Sequence, residues 1–363
     1  MARRLLVTGG AGFIGTNFVR YWRSSHPDDR IVVLDALTYA GNPENLPLDD
    51  DPDRFRFVHG DVTDAALVGS LFEAEAFDRV VHFAAESHVD RSLSGSAAFI
   101  RTNVLGTHVL LEAARRATSL DRFHHVSTDE VYGSLGPDDP PFHEGTPYAP
   151  NSPYAASKAA SDHLVRAYHH TYGLPTTISN CSNNYGPYQY PEKLIPLAIV
   201  RAISGESIPI YGDGRNVRDW LHVEDHVRGI ERILERGRVG EVYNLGGSAE
   251  RANLDLVEML CRAIDARFAA DPALAARFPS APAARGATTG SAIAFVTDRP
   301  GHDRRYAIDA RKARAELGFA PTHTLESGIA ETVAWYLGHE AWWRRVQDAE
   351  YRAWIDRHYG EKR

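Results

Sequence analysis

Residues Thr8-Gly9-Gly10-Ala11-Gly12-Phe13-Ile14-Gly15 form a glycine-rich turn that follows an apolar run of strand length and opens a segment with helical spacing. Gly9, Gly12 and Gly15 let the backbone turn tightly, leave the amides of the helix N-terminus open to a pyrophosphate, and let helix pack closely on strand. Asp35 follows Gly15 by 20 residues, at the end of the next apolar run. A carboxylate there accepts hydrogen bonds from an adenosine ribose and repels a 2′-phosphate, which favours NAD over NADP. Asp61, after the third run, is placed to reach the adenine.

Apolar runs recur at Leu5–Thr8, Ile31–Leu34, Phe55–His59, Val80–Phe83 and Phe123–Ser127, separated by longer segments with helical spacing at Phe13–Ser25, Ala65–Glu75, Ala97–Ala117 and Pro153–Tyr172. The alternation predicts an α/β fold: a doubly wound parallel sheet of the Rossmann, NAD-binding type, with ligands at the carboxyl ends of its strands. The rhythm loosens near Pro175. Residues 1–175 are therefore expected to be an NAD-binding domain carrying the catalytic residues. Residues 176–363 are expected to be mainly a smaller C-terminal substrate-binding lobe, with segments such as Val242–Leu245 returning to the sheet and a further short strand at Phe295–Val296. The stretch Arg267–Gly290, rich in Ala, Pro, Gly and Arg, reads as an inserted connector with at most one short helix, tolerated at the surface because loops lengthen at small entropic cost.

Hydrophobic residues make up 43% and charged residues 24% of the 363, which excludes a disordered or disulfide-built chain. The formal net charge of −8 gives no reason to approach nucleic acid or an anionic membrane. Cys181 and Cys261 are too few for a disulfide framework, and no signal peptide or membrane-spanning stretch is read, so a cytoplasmic address is expected. Basic charge is almost all arginine, lysine standing only at Lys158, Lys193, Lys312 and Lys362.

Two constellations carry chemistry. In Tyr154-Ala155-Ala156-Ser157-Lys158 the phenol and the ammonium are four apart and share a helix face, and a nearby cation is expected to lower the Tyr154 pKa toward that of a general base. In Ser127-Thr128-Asp129-Glu130, at the end of the fifth strand, Thr128 suffices to orient a substrate oxygen. The two carboxyls beyond it are surplus to simple dehydrogenation and suggest paired acid and base work. No metal site is expected.

These residues resemble the extended short-chain dehydrogenase/reductase family, and within it the dTDP-glucose 4,6-dehydratases. The likeness runs from residue 4 to about 335 and includes Asp35-Ala36-Leu37-Thr38-Tyr39-Ala40-Gly41-Asn42, Ala84-Ala85-Glu86-Ser87-His88-Val89-Asp90-Arg91-Ser92, Cys181-Ser182-Asn183-Asn184-Tyr185-Gly186-Pro187, Pro191-Glu192-Lys193-Leu194-Ile195-Pro196, Asn216-Val217-Arg218-Asp219-Trp220-Leu221-His222 and Asp298-Arg299-Pro300-Gly301-His302-Asp303. The resemblance implies that Tyr154, with Lys158, takes the C4 hydroxyl proton of the sugar while hydride passes to NAD and Thr128 holds the oxygen. Glu130 then removes the C5 proton, Asp129 protonates the departing C6 hydroxyl, and the hydride returns to C6.

It also implies that Gly9, Gly12, Phe13, Ile14, Gly15, Asp35, Leu37, Thr38, Asp61, Val62, Ala84, Ala85, Thr102, Tyr154, Lys158 and Asn184 surround NAD. Ser87, Thr128, Asn183, Glu192, Lys193, Pro209, Tyr211, Arg218, Asn253, Arg299 and His302 would hold the nucleotide sugar. A homodimer packed through Thr102–Ala117 and Pro153–Tyr172 is implied as well. Ala36 departs from the lysine common at that position, and Arg267–Gly290 is longer than the usual connector. The rival readings are a 4,6-dehydratase or epimerase of a UDP- or GDP-linked sugar, and a catalytically silent nucleotide-sugar or NAD sensor; Asp129-Glu130 argues against the epimerase.

Overall fold

The computed structural model describes residues 2–46, 51–347, 351–353 and 355; Lys362 and the rest of the expected second lobe's end lie outside them. Seven strands, β1 (Arg4–Thr8), β2 (Arg30–Asp35), β3 (Phe55–His59), β4 (Arg79–His82), β5 (Arg122–Thr128), β6 (Thr176–Cys181) and β10 (Val242–Leu245), form one sheet in the order β10-β6-β5-β4-β1-β2-β3. Every pairing is parallel. Strand direction of build-up reverses between β1 and β4, which opens a crevice at their carboxyl ends.

Parallel strands covered on both faces read as near-continuous apolar runs, and β1, β2 and β4 do so because helices pack on each side. The helices Phe13–Ser25 and Val223–Arg236 bury Phe18, Trp22, Val227, Ile230 and Ile233 against one face. Ala65–Glu75, Thr107–Ala114 and Pro153–Tyr172 bury Leu71, Phe72, Leu110, Leu111 and Val165 against the other. Strands β6 and β10, which follow Pro175 in sequence, complete the sheet beside β5.

Much of the chain after β6 builds the lobe, while Val223–Arg236, β10 and Arg311–Leu317 return to the main sheet. Strands β7 (Asn183–Tyr185), β9 (Val217–His222) and β11 (Glu250–Ala252) form a three-stranded sheet, and β8 (Ile208–Tyr211) pairs in parallel with β12 (Ile293–Val296). Helices Leu194–Ser204, Asn253–Ala270 and Leu325–Gly338 enclose its core, which includes Ile199, Leu260, Ile264, Val333 and Trp343.

Two sequence expectations need correction. The helix expected over Ala97–Ala117 is α-helical only at Ala97–Phe99 and Thr107–Ala114, with π-helical turns at Ile100–Gly106 between them. These turns carry Asn103, which supports Glu86 of the cleft lining from behind: its Oδ1 accepts from Glu86 N–H at 2.8 Å and its Nδ2 donates to Glu86 O at 3.0 Å and Ser157 Oγ at 2.8 Å. The stretch Arg267–Gly290 is no loose connector: Asn253–Ala270 continues into it, Ala273–Arg277 is a short helix and Ala283–Arg285 a 3₁₀ turn. Leu274, Phe278 and Ala281 are buried in the lobe core. Its apolar residues anchor it, so it is part of the lobe.

Candidate active site

The cleft begins at the glycine turn. Gly9 has φ +70°, and a Cβ on it would stand 2.6 Å from Ala84 N. A Cβ on Gly15 would come within 2.2 Å of Gly9 O, so only glycine lets the helix start this close to the strand. Gly12 caps Phe13–Ser25 without any side-chain hydrogen bond, and its first turn carries no acidic residue. Its amides and the positive end of the helix dipole thus face the cleft, an arrangement that fits a pyrophosphate.

Asp35 ends β2 and is buried. Its Oδ2 accepts from Ala11 N–H at 2.9 Å and its Oδ1 from Leu37 N–H at 2.8 Å, which ties the glycine turn to the ribose-facing loop. Burial raises its pKa, and the two amides oppose that shift. Leu37 itself adopts φ +50° and does not line the cleft; it acts on Asp35 through its amide. All the other expected NAD residues line one cleft: Gly9, Gly12, Phe13, Ile14, Gly15, Asp35, Thr38, Asp61, Val62, Ala84, Ala85, Thr102, Tyr154, Lys158 and Asn184.

Thr128, Asp129 and Glu130, at the carboxyl end of β5, line the same cleft. Thr128 caps a 3₁₀ turn by accepting from Glu130 N–H at 3.3 Å. The two carboxyls sit in unlike fields. Asp129 is 2% exposed and its Oδ2 has no hydrogen-bond partner. Burial, followed by the charges of Glu130 and Asp219, pushes its pKa well above the usual carboxylate range. Burial also raises Glu130, and the cations Arg299, Lys193 and Arg218 oppose that rise without reversing it. Environments that separate two neighbouring carboxyls in this way mark one as acid and the other as base.

Helix Pro153–Tyr172 starts where Ser152 Oγ accepts from Ala155 N–H at 3.1 Å and Pro153 fills its first position. Tyr154 and Lys158 fall on the buried face of its first turns. The expected lowering of Tyr154 by Lys158 is not what the structure shows. Burial and then the charges of Glu130 and Cys181 push Tyr154 well above its ordinary value; a Thr128 hydrogen bond opposes them, and Lys158 is not among the principal influences. Lys158 Nζ instead donates to Val126 O at 2.9 Å and lies 3.3 Å from His125 Nε2. Burial brings its pKa down to about 8, against the pull of Asp162.

Of the expected substrate residues, Ser87, Thr128, Asn183, Glu192 and Lys193 line the cleft, and Lys193 Nζ donates to Ser87 O at 3.0 Å. Pro209, Tyr211, Arg218, Asn253, Arg299 and His302 do not line it. Two of these still act there through charge, Arg299 and Arg218 both bearing on Glu130. Arg299 pairs with Asp90 at 2.7 Å, Tyr211 Oη donates to the same carboxylate at 3.2 Å, and Arg218 lies over the Tyr306 ring at 4.1 Å. Asn183 Oδ1, Asn253 Oδ1 and Arg299 Nε are buried with no hydrogen-bond partner, as groups reserved for a ligand are.

Sequence reasoning gave no role to Asp90, His125 or Asp162. Asp90 stood inside a quoted motif. His125 and Asp162 are buried polar residues on an apolar strand and on the helix of Tyr154, a burial that spacing alone does not reveal.

A dinucleotide-type turn, a ribose-facing carboxylate and a Thr/Asp/Glu/Tyr/Lys constellation in one cleft define an NAD-dependent enzyme of nucleotide-sugar chemistry. A family model described as GDP-mannose 4,6 dehydratase matches residues 6–332. The chain belongs to this 4,6-dehydratase family and, by curated relatives at 50–55% identity over nearly its full length, to the dTDP-glucose 4,6-dehydratases within it. The dTDP-glucose 4,6-dehydratase of Xanthomonas campestris pv. campestris (strain B100) is 55% identical over 356 residues, 96% of this chain and 97% of the relative. The dTDP-glucose 4,6-dehydratase 1 of Escherichia coli (strain K12) is 50% identical over 372 residues, 98% and 99% of the two chains. Among solved structures, DesIV, the dTDP-glucose 4,6-dehydratase of Streptomyces venezuelae with NAD and TYD bound, superposes with a TM-score of 0.84 at 49% identity over 94% of this chain and 99% of that one. The UDP-glucose 4-epimerase of Thermotoga maritima reaches 0.79 at 27% identity, over 95% of this chain and 100% of that one.

Proposed function

We propose that this protein is an NAD-retaining hydro-lyase that converts dTDP-glucose to dTDP-4-keto-6-deoxyglucose and water. The observation that carries the reading is the carboxyl pair Asp129 and Glu130 in the cofactor cleft beside Thr128 and Tyr154, a pair that an epimerase does not need. NAD held between the glycine turn and Asp35 would supply a hydride acceptor for C4 and a hydride donor for C6. Tyr154 takes the C4 hydroxyl proton while Thr128 holds that oxygen. The 4-keto group acidifies C5, Glu130 removes the C5 proton, and Asp129, whose burial favours the protonated form, gives a proton to the leaving C6 hydroxyl. Arg299, Lys193 and Arg218 favour the ionised form of Glu130 against its burial, and arginine's paired donors suit a diphosphate.

The test is incubation of the purified protein, without added NAD, with dTDP-glucose and separately with UDP-glucose and GDP-mannose. Loss of one water confined to dTDP-glucose supports the reading. Inversion at C4 without water loss would replace it with the epimerase reading.

The assembly is a homodimer through the helical side of the sheet. Leu93, Ile100, Leu105 and Tyr172 are the support: they are 44%, 52%, 47% and 55% exposed on Val89–Ser94, Ile100–Gly106 and Pro153–Tyr172. Exposed apolar residues gathered on adjoining elements suit a partner surface. No helix among the described residues is long and apolar enough to cross a membrane, and Cys181 and Cys261 are free and buried, which suits a reducing cytoplasm.

A further inference from the structure

Away from the cleft, two histidines and a carboxylate converge where the lobe meets the sheet. His222 ends β9 and caps the helix Val223–Arg236, Glu224 lies in that helix's first turn, and His323 stands in the segment leading into Leu325–Gly338. One ligating atom from each lies within 4.8 Å of the other two, and no other group of this kind occurs among the described residues. The imidazole centroids are 4.0 Å apart with an interplanar angle of 31°. None of the three lines the cofactor cleft.

We propose that His222, Glu224 and His323 form a binding site for one zinc-like divalent cation, with Glu331 as the fourth ligand. Three observations point to it. His222 is 3% exposed, yet its Nε2 has no hydrogen-bond partner, an uncompensated buried atom on a member of the group. The second is the support of His323. Asp225 is buried, with its Oδ2 2.8 Å from His323 Nδ1, the carboxylate–histidine arrangement that sets the tautomer and leaves Nε2 bare for a metal. Third, His323 Nε2 faces two carboxylates, Glu331 at 3.4 Å and Glu224 at 4.0 Å. Paired imidazoles with carboxylates suit zinc, cobalt(II) or nickel(II) rather than magnesium or calcium.

The geometry needs a small closure. Donors at most 4.8 Å apart put a central ion about 2.8 Å from each, against roughly 2.0–2.2 Å for zinc. Glu224 is about half exposed and supplies the movement. Two local interactions change on binding. His222 Nδ1 now accepts from Glu224 N–H over a long 3.4 Å; when Nε2 ligates, the ring proton moves to Nδ1 and that weak cap is given up. Arg228 stands 3.8 Å from Glu224 and 3.9 Å from Asp225, and releases Glu224 while keeping its bond to Thr322 Oγ1 at 2.9 Å. The ion would staple the segment before Leu325–Gly338 to the end of β9, stabilising the lobe without touching the reacting atoms.

The experiment titrates the tag-free, full-length protein with Zn²⁺ against a chromophoric chelator, and with Co²⁺ followed by its visible absorption. The same titrations are run on His323→Gln, whose amide keeps a donor for Asp225, and on Glu331→Gln, whose side chain is exposed. One equivalent bound, an affinity falling about tenfold or more in His323→Gln and less in Glu331→Gln, and a melting temperature raised by Zn²⁺ only where His323 is present, support the site. No binding at excess Zn²⁺, or binding unchanged in His323→Gln, overturns it. Dehydratase turnover is recorded in parallel, so failure of the metal site is distinguished from failure of the proposed reaction.

Discussion

Asp129 and Glu130 are adjacent in sequence and lie in unlike electrostatic surroundings: after burial, the carboxylates of Glu130 and Asp219 weigh most on Asp129, whereas the cations Arg299, Lys193 and Arg218 weigh most on Glu130. The two open the 3₁₀ turn that follows β5, where consecutive side chains point about 120° apart. The division of labour between acid and base follows from that placement.

Replacing either carboxyl interrupts the second half of the reaction only. Asp129→Asn and Glu130→Gln are expected to retain NAD and to accumulate reduced cofactor on adding dTDP-glucose, with dehydration slowed by about 10²–10⁴-fold. Absorbance of the bound cofactor and loss of water by mass are read together. Full turnover by Asp129→Asn would remove the acid assignment.

Tyr154→Phe acts earlier. The C4 hydroxyl then has no base, so neither reduced cofactor nor water loss is expected, at a rate lowered by roughly 10²–10⁴-fold. A variant that still reduces its cofactor at the wild-type rate would show that another group takes the C4 proton.

The alkaline limb of activity tests the polar cluster behind Lys158. The charge of Asp162 raises the Lys158 pKa against burial, which brings it to about 8, and Asp162 itself is pushed up by burial to about 6. Between those values Asp162 is ionised and holds the Lys158 proton on. Asp162→Asn removes that support, so Lys158 deprotonates at lower pH and the alkaline limb of kcat moves toward acid. A limb unmoved in Asp162→Asn would show that Lys158 does not set it.

Gly15→Ala places a methyl group 2.2 Å from Gly9 O. Relief requires the helix to back away from the turn, at a cost of about 1–3 kcal/mol. Thermal melting should fall and NAD should no longer co-purify; an alanine variant that keeps its NAD would contradict the close approach.

Ile100→Asp puts a charge at the centre of the exposed apolar face without disturbing a buried contact, since Ile100 is 52% exposed. The mass in solution is expected to fall from two chains to one with the fold intact. A wild-type protein with the mass of one chain would refute the dimer itself.

Much of this was legible in sequence because the glycine turn, Asp35 and the parallel-strand rhythm are local and periodic. Each places its residues on the cleft regardless of what the lobe does. The hydrogen bond from the Leu37 amide to Asp35 is not legible in sequence, because it depends on a positive φ that a leucine seldom adopts. The π-helical turns at Ile100–Gly106 were hidden since a π turn and an α turn share the same apolar spacing over so short a stretch. Arg267–Gly290 looked loose because alanine and proline carry little hydrophobic signal, yet Leu274 and Phe278 suffice to anchor it. The state of Tyr154 depended on where Lys158 reaches, a long-range matter settled by Val126 O and His125.

The central claim is that one hydride leaves C4 and returns to C6 of the same sugar while Asp129 and Glu130 remove water. dTDP-glucose carrying deuterium at C4 tests it most directly, with the protein incubated without added NAD and the product examined by NMR. The account predicts a 4-keto-6-deoxy product, lighter by one water, with the deuterium on C6. Deuterium found at C4 of an epimerised sugar, or lost to solvent, would contradict it.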